Sequence, residues 1–202
     1  MSPTTDPRLE RGVTLVELII FIVIVSSAVA GVLLTLNMAS RSSADPMIQK
    51  QALAVAEALL EEVQLQPFTY CDPDDTAAAD ANSAADCTGG AGGANDENTL
   101  PLGPEAGETR TGAVTPFDNV SDYNLFCMGP AGGCPNPVIT DLNGTPIVGL
   151  GAYTATVAVA NQALGAVPAS DSLLITVTVK GPADTTVVLH GYRVRYAPNA
   201  LP

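Results

Sequence analysis

Apolar residues follow three different patterns along the chain. From Leu18 to Leu36, nineteen consecutive residues carry no charge (LIIFIVIVSSAVAGVLLTL). As a helix rising about 1.5 Å per residue, that run is about 28 Å long, close to the ~30 Å hydrocarbon core of a bilayer. The apolar core of a secretory signal peptide is shorter, about 7–15 residues, and ends at a small-residue cleavage site. A buried core helix is the other reading, but the run has no earlier element to pack on. The pattern predicts a transmembrane helix over residues 13–36, preceded by a polar segment over residues 1–12.

Residues 37–66 change to helical periodicity. Asp45 is suited to cap a helix and Pro46 to its first position. Proline also biases residue 45 away from helical torsions, so the helix is expected to kink or open near Ser42–Asp45 and then resume. Ile48, Ala52, Val55, Leu59 and Val63 then form one stripe, widened by Ala56 and Leu60, while Gln49, Lys50, Glu57, Glu61 and Glu62 stay polar. This is an amphipathic helix ending before Pro67, and its stripe needs a sheet to cover it.

The third pattern is alternation. Residues 152–160, 172–180 and 185–196 read as strands. The second puts Leu173, Ile175, Val177 and Val179 on one face; the third groups Val188, His190, Tyr192, Val194 and Tyr196. Gly181-Pro182-Ala183-Asp184 joins the last two as a turn, and Asn143-Gly144 marks an earlier tight turn. The predicted class is α+β: a long N-terminal helix, half transmembrane and half amphipathic, packed on an antiparallel β-sheet head over residues 67–202.

Charge adds where the polarity lies. The formal net charge is −13, from 21 acidic and 8 basic residues, which disfavours a phosphate backbone as partner. Eleven of the acids fall between Asp72 and Asp122, in a stretch rich in Gly, Pro, Ala and Asn that reads as irregular loop. Asp72, Asp74 and Asp75 offer oxygens suited to calcium. The EF-hand spacing is missing, so the segment is expected to be a solvated acidic loop, with no metal or cofactor.

Arg8 and Arg11 precede the span and keep that end cytoplasmic by the positive-inside rule. Cys71, Cys87, Cys127 and Cys134 all follow it, where an oxidising compartment permits disulfides. Four cysteines allow three connectivities; the sequence-local one, Cys71–Cys87 with Cys127–Cys134, is expected. Zinc is the less fitting alternative, since there is no CxxC pair and His190 is the single histidine. That histidine sits in a strand pattern, where a structural role is expected. No nucleophile elbow, phosphate loop, HExxH or dinucleotide motif occurs in its proper context, and no enzymatic activity is expected.

One carboxylate is out of place: Glu17 lies inside the apolar run, where burial in a bilayer costs a few kcal/mol unless the side chain snorkels or finds a partner. The segment Arg11-Gly12-Val13-Thr14-Leu15-Val16-Glu17, followed by an unbroken apolar helix, resembles the class III signal of type IV prepilins and type II secretion pseudopilins. Val13 stands where that pattern commonly has Phe or Met. The stretch SADPMIQKQALAVAEALLEEV (residues 43–63) and the segment Tyr192-Arg193-Val194-Arg195-Tyr196-Ala197-Pro198-Asn199 are further similar to the D-type minor pilins of the mannose-sensitive haemagglutinin (MSHA) pilus system. Together these matches cover less than half of the chain.

The resemblance implies that prepilin peptidase cuts between Gly12 and Val13 and methylates the new amino group of Val13. It implies that Glu17 pairs with the charged N-terminus of a neighbouring subunit during assembly; a buried carboxylate needs such a partner. It also implies a location: the bacterial inner membrane, single pass with the head periplasmic, then a pilus at the cell surface. The implied partners are other pilin subunits, the peptidase and an inner-membrane assembly platform. A minor pseudopilin of a type II secretion system and a binding module at a pilus tip are the alternative functions.

Overall fold

The computed structural model describes residues 14–199 and residue 201, with the side chains of residues 38–45 excepted. The first element, α1, is a helix over Leu15–Leu65. The chain divides into two compact units, Met1–Pro46 and Met47–Pro202.

In the first unit, the stretch Leu15–Asn37 is long and apolar enough to cross a membrane. Thr14 starts the helix: its Oγ1 accepts the backbone N–H of Glu17 at 3.3 Å, a side-chain cap for an end that otherwise leaves donors unmet. The hydroxyls inside the run are satisfied along the helix itself. Ser26 donates to the Ile22 carbonyl at 2.6 Å, Ser27 to Ile24 at 2.9 Å, and Thr35 to Val32 at 2.8 Å. Such back-bonding lets polar side chains sit in hydrocarbon without an unmet donor. The helix continues through Pro46, so the expected opening at Ser42–Asp45 is corrected to unbroken helix. Proline's fixed φ is itself helical, and a single missing N–H interrupts only one link of the ladder.

The second unit is a sheet packed on the C-terminal half of α1. Its four strands are β1 (Cys127–Met128), β2 (Thr154–Asn161), β3 (Ser172–Lys180) and β4 (Thr186–Val194). They pair in the order β1-β2-β3-β4, antiparallel throughout. Ala52, Ala56, Leu59 and Val63 of α1 are buried in one core with Ala155, Val157 and Val159 of β2 and Leu173, Ile175, Val177 and Val179 of β3. The helical stripe and the strand alternation therefore meet as expected. The two-residue strand β1 is an addition; it is too short to show alternation.

On β4 the residues grouped by alternation do share a face, and it is the outer one. Val188, His190 and Tyr192 are exposed, whereas Val187 and Leu189 pack against the core. Gly191 is buried on that inner side. A Cβ there would meet Gln64 Nε2 at 2.4 Å and Leu60 Cδ1 at 2.9 Å, so the missing side chain lets α1 lie close to β4. The β3–β4 turn is closed by Gly181 N–H to Thr185 O at 2.9 Å, with Ala183 and Asp184 both in the left-handed region at φ 54° and 57°.

Between α1 and β2 the chain has little regular structure and is held by bridges and buried polar pairs. Cys71 is bonded to Cys87 and Cys127 to Cys134. Asp75 accepts N–H bonds from Ala77 and Thr88 and the Thr88 hydroxyl, knitting the first disulfide loop to itself. Arg110 reaches Glu62 of α1 through Nε at 2.6 Å and Nη2 at 2.8 Å, and Tyr123 donates its hydroxyl to the same carboxylate. Arg195 stacks on Phe68 and Tyr70, at 3.8 and 4.3 Å from the ring centroids, and pairs with Asp171. The Asn143-Gly144 turn is present, its N–H groups at 143 and 145 held by the Asp141 carboxylate.

Candidate functional site

Two groups of residues carry chemistry, and they lie in different units. The first is at the start of α1. Gly12 and Val13 lie outside the described residues. Glu17 occupies the third helical position, three residues after the capping Thr14. A carboxylate in the first turn is favoured by the positive end of the helix dipole. Thr14 and Glu17 have the spacing of a capping box, of which the bond from Glu17 N–H to Thr14 Oγ1 is formed. Every residue from Thr14 to Asn37 is exposed in the single chain, so the carboxylate and the apolar surface around it are uncovered by anything within this unit.

The second group is in the loop region of the head and differs from the expected solvated acid run. Asp72, Glu97, Glu105, Glu108, Asp118 and Asp122 converge, in three overlapping triads within each of which one carboxylate oxygen per residue lies within 4.8 Å of the others. Asp72, Glu97 and Asp122 are buried, Glu97 and Asp122 at 2 % and 1 % exposure. The loops fold back on themselves to do this. Glu97 N–H bonds the Tyr70 carbonyl and Val120 N–H bonds Pro67, which brings the segments around 72, 97 and 120 together. Asp74 and Asp75, offered by sequence as companions of Asp72, are not in these triads. Spacing in the chain gives little sign of the real set: apart from Glu105 and Glu108, three residues apart, the members of each triad are 8 to 46 residues apart.

Burial is the largest force on Asp72, Glu97, Glu108, Asp118 and Asp122. It raises Asp72 to about 6, against the opposing N–H of Asp74. It raises Asp118 to about 7, helped by the charges of Asp72, Asp74 and Glu105. Glu97, Glu108 and Asp122 are likewise pushed well above the ordinary carboxylate range, by burial first and by one another and Glu105 next. Among the described residues, the ion pairs are Arg110–Glu62 and Arg195–Asp171, and neither includes a member of the cluster. A cleft of about 600 Å³ reaches the cluster, with Glu108 and Asp122 in its wall. His190 is remote from this chemistry in character: it is exposed on the outer face of β4, with Nδ1 3.1 Å from Thr176 Oγ1.

No protein-family model, curated protein or solved structure matches the chain.

Proposed function

We propose that this chain is a minor pilin of the type IV class, of the MSHA-like kind, and that its role is structural rather than catalytic. The observation that carries the reading is the segment Arg11-Gly12-Val13-Thr14-Leu15-Val16-Glu17 placed directly before an unbroken apolar helix. In this reading prepilin peptidase removes residues 1–12 on the cytoplasmic face, Val13 becomes the methylated N-terminus, and the helix stays in the inner membrane with the head in the periplasm. An assembly platform then moves the subunit into a filament.

The arrangement of α1 supports this. Leu15–Asn37 exposes apolar side chains on all sides, which a bilayer covers before assembly and the helices of neighbouring subunits cover afterwards. Beyond Met47 the same helix turns amphipathic and is covered by the antiparallel sheet, the division of labour a pilin fold requires. Glu17, exposed at the head of the span, then meets the amino terminus of the next subunit.

Mass spectrometry of the protein recovered from cells tests the reading. The expected product begins at Val13 and carries one added methyl group, with all four cysteines oxidised. Replacing Gly12 by a bulkier residue leaves the precursor uncut, whereas Glu17→Ala is cut normally and is depleted from sheared filaments. A chain that keeps residues 1–12 in the wild type, or Glu17→Ala protein recovered in filaments at wild-type yield, refutes it. Recovery with a secretion complex instead of filaments assigns the chain to the pseudopilins.

A further inference from the structure

The acid cluster of the head has no part in filament assembly as read above, and its composition is costly as it stands. Several carboxylates share one partly buried space, and no described cationic side chain is paired with them. Buried charge is tolerated when it is paired, protonated or bound to a metal. Asp122 shows which of these the site is shaped for. Its Oδ2 accepts N–H bonds from Asp118 at 3.0 Å and Asn119 at 2.7 Å, which fixes the carboxylate. Its Oδ1 is buried with no hydrogen-bond partner at all. No group within hydrogen-bond reach meets that oxygen; a cation held between it and the neighbouring acids would.

The distances fit one class of ion. Two oxygens on the same calcium, each at about 2.4 Å, lie no more than about 4.8 Å apart, and the oxygens of Glu105, Glu108 and Asp122 satisfy that limit mutually. Glu105 and Glu108 are placed side by side by a turn in which Glu108 N–H bonds the Glu105 carbonyl and Gly107 takes φ 106°. All the donors are oxygens, carried on a loop turn and on the short 3-10 helix Ser121–Tyr123, which suits the variable six-to-eight coordination of calcium better than the strict octahedron of magnesium. We propose that Glu105, Glu108 and Asp122 hold a calcium ion, with Asp72, Glu97 and Asp118 as the surrounding acid shell and the cleft beside Glu108 as its entry.

The test uses the full chain in non-ionic detergent, stripped with a chelator and melted with and without millimolar calcium or magnesium. Calcium at about a hundredfold over its Kd raises Tm by about 5–10 °C, and magnesium does so much less. Terbium bound at the same place emits on excitation of tyrosine, Tyr123 being adjacent to Asp122, and calcium quenches that emission by displacement. The variant Glu105→Gln/Glu108→Gln removes two half-buried acids from a crowded carboxylate cluster, so it is at least as stable as wild type in chelator and no longer responds to calcium. Its stability in chelator shows that it is folded. The proposal is overturned by a wild-type Tm indifferent to calcium, by an equal response to magnesium, or by a calcium response that survives in the variant.

Discussion

Glu62 receives two bonds from Arg110 and one from Tyr123 while almost wholly enclosed. Arg110 Nη1 in turn bonds the carbonyls of Thr140 and Asp141. One guanidinium thus ties α1 to two separate loops. Removing it strands a carboxylate in a low-dielectric site, and breaking a buried pair in this way costs about 3–5 kcal/mol. Arg110→Met is accordingly expected to lower the urea midpoint of the head strongly. The double change Arg110→Met/Glu62→Leu, which leaves no orphaned charge, recovers much of that loss. A single variant as stable as wild type in equilibrium denaturation would show the pair to be dispensable. Sequence marks Glu62 only as the polar side of an amphipathic helix, and its partner lies 48 residues away.

At the scale of elements, local pattern and long-range assembly part company. The helical stripe, β2 and β3 are legible because each repeats a period over many residues and each buries the face that the period defines. The outer face of β4 was equally periodic, yet periodicity alone does not say which of two faces meets the helix; Gly191 on the opposite register was the clue. The loops carry no period, so the acid cluster, assembled by tertiary contacts, was not visible in them. The β3–β4 turn offers a direct check. Ala183 holds a left-handed conformation that costs a residue with Cβ about 1 kcal/mol or more, and glycine is free of that cost. Ala183→Gly is expected to stabilise the head modestly, by up to about 1 kcal/mol after the entropy lost from the unfolded chain. A lowered melting temperature would mean that the turn relaxes elsewhere in solution.

For the whole molecule, the division into two units at Pro46 separates a stretch long and apolar enough to cross a membrane from a unit with its own core. Met47–Pro202 buries its own core, and the core contains the amphipathic half of α1 together with the sheet. The fragment 47–202 is therefore expected to be soluble without detergent and to melt cooperatively. The full chain is expected to remain with membranes through an alkaline carbonate wash. A fragment that precipitates or unfolds gradually, or a full chain released by carbonate, would contradict this division. The strong acidity belongs to the head, since the stretch Leu18–Leu36 carries none of it.

The two disulfides have a consequence in time rather than in energy. Their cysteines are separated by 16 and 7 residues, and the Cys71–Cys87 bridge sits in a small apolar cluster of its own, apart from the main core. Short separations give the native partners the highest effective concentration in an unfolded chain. A head entering an oxidising space from its N-terminal side, as the proposed function has it, would meet each correct partner before the distant wrong ones arrive. Its maturation should then depend little on a disulfide isomerase, even where it depends on an oxidant.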